Sequence, residues 1–252
     1  MTRPEMVIRV EGLGKKFKIP HEKRNSVFES IANALQIFEA ERFSYEEFWA
    51  LKDVTFSVRK GESLGVIGSN GSGKSTLLKV LARIIRPTTG SVEVNGKSAP
   101  ILGLGVGFHP DLTAKDNIRM YGSVMGLGRE EVRNKVQPIL EFAGLEKFGD
   151  AKLRNLSSGM QLRLAFAVAV ETRPDLFFVD EALAVGDLDF QAKCIDKFRE
   201  FREEGRTLVL VTQSMDQVKT FCDQAIHLAH GQVVKVGSPD VVTNDYLSSR
   251  NN

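Results

Sequence analysis

The chain has 252 residues, 42% hydrophobic and 26% charged, with a formal net charge of +2. That composition is ordinary for a soluble globular protein of one large domain or two small lobes sharing a core, and it carries no basic footprint for nucleic acid. Cys194 and Cys222 form no C-x-x-C pair and so indicate neither a disulfide framework nor a zinc site, and the longest apolar runs, such as residues 164–170, fall far short of the ~20 residues that span a bilayer.

In chain order, the N-terminus lacks the charged-then-apolar form of a signal peptide, and the first strand is expected over residues 7–11. A charged stretch follows over 15–24. Ser26 and Glu29 then have the spacing of a capping box ahead of an apolar helical stripe, Phe28, Ile31, Leu35 and Phe38. This insert, about 19–48, either docks on the protein's own core or faces a membrane partner. Alternation over 51–58 reads as a strand, Lys60-Gly61-Glu62 as a turn, and 63–68 as a buried strand. A helix over 76–85 is stopped by Pro87, and 91–94 with Asn95-Gly96 signals a hairpin in a small antiparallel lobe. Residues 113–172 form a helical subdomain, with Pro138 interrupting or beginning one helix and another helix over 158–171. The rest alternates: strand 176–179, helix 190–203, strand 207–212, strands 225–228 and 232–236 about a turn at His230-Gly231, and a helix after Ser238-Pro239. The expected fold class is α/β with a mostly parallel sheet covered on both faces, an antiparallel β lobe and a helical subdomain, all within one domain over 1–252.

Three constellations carry chemistry. The first is Gly68-Ser69-Asn70-Gly71-Ser72-Gly73-Lys74-Ser75, leading into Thr76. A buried strand running into a glycine loop and a helix N-terminus aims backbone N–H groups and the positive end of the helix dipole at one spot, which suits phosphates. Lys74 adds a point charge at the β/γ-phosphates of a nucleoside triphosphate, and the Ser75 hydroxyl is a Mg²⁺ ligand. The second is Asp180-Glu181, closing an apolar strand. In a parallel sheet that end opens on the ligand crevice, where Asp180 can hold Mg²⁺ and Glu181 can polarise the attacking water. The third, Leu156-Ser157-Ser158-Gly159-Met160-Gln161, repeats the logic of hydroxyls and free N–H groups at a helix start.

In this order and spacing, the phosphate loop, the L-S-S-G-M signature and the D-E strand end resemble the ATP-binding subunit of an ABC transporter, over essentially the whole chain. The resemblance implies a P-loop NTPase with a RecA-like core that binds ATP and Mg²⁺. It implies a second copy of the chain packed head to tail, so that Ser158 and Gly159 reach the γ-phosphate held by the opposite copy and Asp187 sits at the dimer seam. Finer features are residues 103–113 followed by Asp116-Asn117-Ile118, Asp180 to Asp187 followed by Phe190, and Glu47 to Val54 after the insert. They resemble the ATPases that export lipid-linked polysaccharides of O-antigen, capsule or teichoic-acid type. That subfamily implies a polytopic transmembrane permease as partner, a peripheral place on the cytoplasmic face of the membrane and no contact with nucleic acid. Some members carry a C-terminal carbohydrate-binding domain, and with its end just after the last expected ATPase helix this chain is expected to lack one. The alternatives are the ATPase of another transporter type, which the same engine would serve, and a soluble clamp-type ATPase of the same superfamily. The latter would favour coiled-coil inserts, a second ATPase domain or basic patches, none of which the sequence has.

Two positions depart from the family. No Gln occurs between Pro100 and Val136 to serve as the Q-loop glutamine, and His109 is the nearest obvious polar side chain. The strand 208–212 is followed by Gln213 where the family has a switch histidine. A Gln amide can donate to a phosphate oxygen but cannot take a proton, so slower hydrolysis with intact ATP binding is expected. For the aromatic ring that stacks on adenine, counting from the first strand gives Phe17 and counting back from Lys52-Asp53 gives Tyr45. The position of the insert favours Phe17.

Overall fold

A computed structural model describes residues 5–20, 45–101, 107–180 and 187–250. Its strands form two sheets. An antiparallel sheet has the order β2-β1-β4, with β1 at Met6–Pro20, β2 at Tyr45–Arg59 and β4 at Thr89–Val94. The other, of six strands, has the order β5-β6-β7-β3-β8-β9: β3 Ser63–Ile67, β5 Ser98–Ile101, β6 Leu176–Asp180, β7 Thr207–Val211, β8 Gln224–Ala229 and β9 Gln232–Gly237. Every pairing in it is parallel except β8 with β9. Central strands β3 and β7 are buried at all five positions, as expected where a parallel sheet is covered on both faces.

The helices are α1 (Lys74–Leu81), α2 (Ala114–Val124), α3 (Arg129–Ala143), α4 (Ser158–Glu171), α5 (Leu188–Glu203), α6 (Met215–Phe221) and α7 (Pro239–Arg250). One core lies between the two sheets, with Leu77, Leu78 and Leu81 of α1 inside it. A second packs α4, α5 and α6 on the other face of the large sheet. The third is that of the helical subdomain, from α2, α3 and α4. Helix α4 belongs to both of the last two. Phe166, Ala169 and Val170 face the sheet, while Leu164, Ala167 and Val168 face the helical lobe, so a helix apolar nearly all round ties the two together.

Several expectations need correction. β1 and β2 are each 15 residues long and pair out to Pro20 and Tyr45, so the charged stretch after Lys15 begins as strand. Cross-strand neighbours explain this: Lys16 meets Glu47 at 2.8 Å and lies over the Trp49 ring, covering apolar surface with its stem. The insert therefore starts and finishes inside paired strands, and its Phe28/Ile31/Leu35/Phe38 stripe lies outside the described residues. Asn95-Gly96 closes no hairpin. β4 pairs with β1 and β5 with β6, because the Lys97 carbonyl accepts from the Asp175 and Leu176 amides and the Asp175 carboxylate accepts from Lys97 N at 2.8 Å, drawing the chain across to the second sheet. Pro138 lies within α3, whose buried face of Val132, Val136, Ile139, Leu140 and Ala143 outweighs the ~3 kcal/mol that an interior proline costs. The short helix α6 was not anticipated.

Burial pushes the Cys194 thiol up to about 12, and burial with the nearby Asp223 carboxylate does the same for Cys222 despite the Arg202 charge. Both thiols stay protonated at pH 8. Iodoacetamide labelling followed by mass spectrometry is expected to leave them unmodified in the native protein and to alkylate both in urea.

Candidate nucleotide site

The carboxyl ends of β3, β7 and β6 are consecutive in the large sheet, and each runs into a piece of the site. β3 delivers the glycine loop 68–73, β7 delivers Thr212 and Gln213, and β6 ends on Asp180. A cleft of about 420 Å³ lies over these ends, lined by Asn70, Gly71, Gly73, Lys74, Ser75 and Thr76 of the loop and helix start. Asp180, Ala50 and Phe48 complete its wall.

The loop's shape requires its glycines at two points. At Gly68 a Cβ would lie 2.2 Å from the Leu228 carbonyl oxygen, and at Gly73 (φ +106°) it would lie 2.6 Å from that of Ala50. Helix α1 begins directly after Gly73, with no side chain capping its N-terminus, and Leu77 N donating to Gly73 O at 2.8 Å closes its first turn. Its uncapped N–H groups therefore face the cleft, a ready cradle for anionic oxygens. Lys74 is only 6% exposed, and its ammonium donates to the carbonyls of Gly68 (2.8 Å) and Ser69 (2.9 Å), which folds the loop around the charge. The Ser72 hydroxyl is buried with no hydrogen-bond partner among the described residues. The loop is fixed from behind: Gly231 N donates to Ser72 O, and Lys52 N to Gly231 O, so the turn between β8 and β9 clamps it to β2.

Asp180 and Ser75 contribute a carboxylate and a hydroxyl to the same cleft. An all-oxygen donor pair of this kind suits Mg²⁺, which keeps most of its sphere for water and substrate phosphates. The chain's donors thus fit the metal that the resemblance implied. Glu181 lies outside the described residues. Gln213 is exposed, and its Nε2 donates to Asn70 Oδ1 at 2.9 Å, linking the end of β7 to the glycine loop. Behind it the Thr212 hydroxyl donates to Gln217 Oε1 (2.7 Å) and accepts from Ser214 N (3.0 Å), which starts α6 and fixes the chain direction there.

The aromatic ring in the cleft wall is Phe48, which sequence counting missed. Phe17, directly opposite it in the β1–β2 register, lies over the Lys15 ammonium and is not part of the cleft lining, nor is Tyr45. The signal was the strand pairing itself. Once β1 and β2 extend to Pro20 and Tyr45, residue 17 pairs with residue 48 on one face.

Ser158 and Gly159 stand apart from the cleft at the start of α4, whose N-cap Ser157 accepts from Met160 N at 3.2 Å. Ser158 is exposed, and a Cβ at Gly159 would meet nothing within 4 Å, so this surface faces outward. Asp187 caps α5, accepting from Phe190 N at 2.9 Å, and its second oxygen lies 3.4 Å from Arg163 of α4. His109 is also not in the cleft lining, and its Nδ1 accepts from Asp111 N within its own loop.

That loop is anchored by fully buried Asn117. Its Oδ1 accepts from His109 N at 2.7 Å, and its Nδ2 donates to the carbonyls of His109, Leu112 and Thr113. Asn117→Ala would leave the His109 amide without its acceptor and take one of two donors from each of the His109, Leu112 and Thr113 carbonyls. It is expected to lower stability by about 2 kcal/mol, read as a reduced urea midpoint.

Residues 51–184 match the family described as ABC transporter. Over its whole length the chain is similar to an O-antigen export system ATP-binding protein, RfbB, of Klebsiella pneumoniae: 37% identity over 96% of this chain and 98% of the relative. It is likewise similar to a teichoic acids export ATP-binding protein, TagH, of Listeria monocytogenes, at 37% identity over 93% of this chain and 71% of the relative. Among solved structures, the ATP-binding cassette MJ0796, bound to ADP and Pi as a dimer in a post-hydrolysis state, superposes with a TM-score of 0.73 at 24% identity, covering 92% of this chain and 98% of that one.

Proposed function

This chain belongs to the ABC transporter family, and from that premise we propose that it is the ATP-binding and ATP-hydrolysing subunit powering export of a lipid-linked polysaccharide through a membrane partner. The carrying observation is the cleft, where glycine loop, Lys74, Ser75 and Asp180 converge, in a chain 37% identical over 96% of its length to an O-antigen export ATP-binding protein.

In this reading the N–H groups of Ser69 to Ser75 and the α1 N-terminus receive the β- and γ-phosphates. Lys74 neutralises charge that builds during transfer, and Ser75 and Asp180 would hold Mg²⁺, which would supply charge screening at the phosphate oxygens. Glu181 orients the attacking water, and Gln213 supplies an amide donor toward the γ-phosphate without acting as a base. The outward-facing Ser158 and Gly159 complete the site of a second copy, since the cleft of one chain contains no signature residue. Asp187 lies at the seam between the copies. Among the described residues no helix is long and apolar enough to cross a membrane. A polytopic permease, in this reading, holds the chain at the cytoplasmic face.

In this reading Phe48, the aromatic side chain of the cleft lining, stacks on the base. Phe48→Ala is expected to weaken ATP binding about ten-fold, and Phe17→Ala by less, measured with a fluorescent ATP analogue. The function itself is tested by mild-detergent pull-down of tagged protein from native membranes. A stoichiometric polytopic membrane protein is expected. Recovery only with ribosomal or nucleic-acid proteins would replace this reading with that of a soluble clamp ATPase.

A further inference from the structure

A second, smaller cavity of about 160 Å³ opens at the other end of the large sheet, where β3, β6 and β7 begin and α5 and α6 end. Four phenylalanines form its floor: Phe177 of β6, Phe198 and Phe201 of α5, and Phe221 of α6. They pack on one another with ring centroids 5.1 to 6.4 Å apart and are each at least nine-tenths buried, so the floor is rigid and preformed. Cavities of about 150 Å³ with such apolar walls take up a benzene-sized ring.

The rim distinguishes this cavity from a packing defect. The rim carries Arg199, Arg202 and Arg206, and no acidic side chain is in the lining. Each arginine has an acidic neighbour outside the lining, but few of its five N–H groups are used: Arg199 makes one bond to Asp196 (3.1 Å) and Arg202 one to Asp223 (2.6 Å). Arg206 bonds Glu204 and the Pro174 carbonyl, and its guanidinium lies over the Phe201 ring. Donors remain on all three for a bidentate anion.

We propose that this cavity is a binding site for a small aromatic carboxylate, its ring on the phenylalanine floor and its carboxylate on the arginine rim. The site lies apart from the nucleotide cleft and shares no residue with it.

Ligand-observed fluorine NMR with para-fluorobenzoate on the full chain tests this. Reversible line broadening at millimolar concentration is expected, displaced by benzoate and unaffected by ATP. Neutral para-fluorobenzamide should bind at least ten-fold more weakly. Arg199→Ala removes an exposed rim charge without touching the core and should weaken para-fluorobenzoate about ten-fold, as loss of one charge-assisted hydrogen bond would. Absence of broadening would mean that the cavity holds only water, and would overturn the proposal. So would equal binding of the amide, indifference to Arg199→Ala, or displacement by ATP.

Discussion

Lys74→Ala is expected to lower steady-state ATP turnover of the assembled transporter by about 10²–10³-fold, the usual loss when one aligned charge is removed from a phosphoryl-transfer site. The expectation rests on where the ammonium lies. It is almost wholly buried, bridges the Gly68 and Ser69 carbonyls, and lines the cleft beside Asp180. Removing it takes away the charge and also the tie that folds the loop. Binding of the fluorescent ATP analogue should therefore weaken along with turnover, whereas an effect on turnover alone would mean that the loop keeps its shape without the lysine. Thermal unfolding of the variant without nucleotide is the control. A large drop there would assign the loss to folding.

Gln213→His is expected to act in the opposite direction, raising turnover by about 10²-fold while changing ATP affinity only a few-fold. The glutamine amide can donate but cannot exchange a proton, and it is already engaged with Asn70 Oδ1 at 2.9 Å. An imidazole at the end of β7 would add a group that can both donate and accept beside the γ-phosphate position. Asn70→Ala separates the two contributions. If the Asn70 bond holds the amide away from the phosphate, that variant should raise turnover on its own, with Gln213 kept. Unchanged turnover in Gln213→His would show that the amide already serves as well as an imidazole.

Much of this was legible before any coordinates. The glycine loop, Lys74 and Ser75 could be placed from local order alone, because a strand, a tight turn and a helix start that are adjacent in sequence stay adjacent in space. Asp180, in contrast, joins them through the order of β6, β7 and β3 in the sheet. The parallel sheet followed from apolar runs at 63–68, 176–179 and 207–212, since a strand covered on both faces carries apolar residues on both. Asn95-Gly96, in contrast, misled. The dipeptide fits a tight turn, but whether the next strand folds back is decided by distant partners, here Asp175 and β6.

What the sequence determined by itself was the chemistry of the loop and the family to which it belongs, because motif spacing encodes local geometry. Tertiary structure alone decided which ring enters the cleft. Phe17 and Phe48 are far apart in the chain and meet only through the β1–β2 register, which no local spacing records. It also decided that Gln213 reaches Asn70 and that Ser158 and Gly159 lie outside the cleft lining of their own chain. The phenylalanine cavity is of the same kind. Its floor and rim come from β3, β6, β7, α5 and α6, and only the packing of α5 and α6 across the sheet brings their side chains to one place.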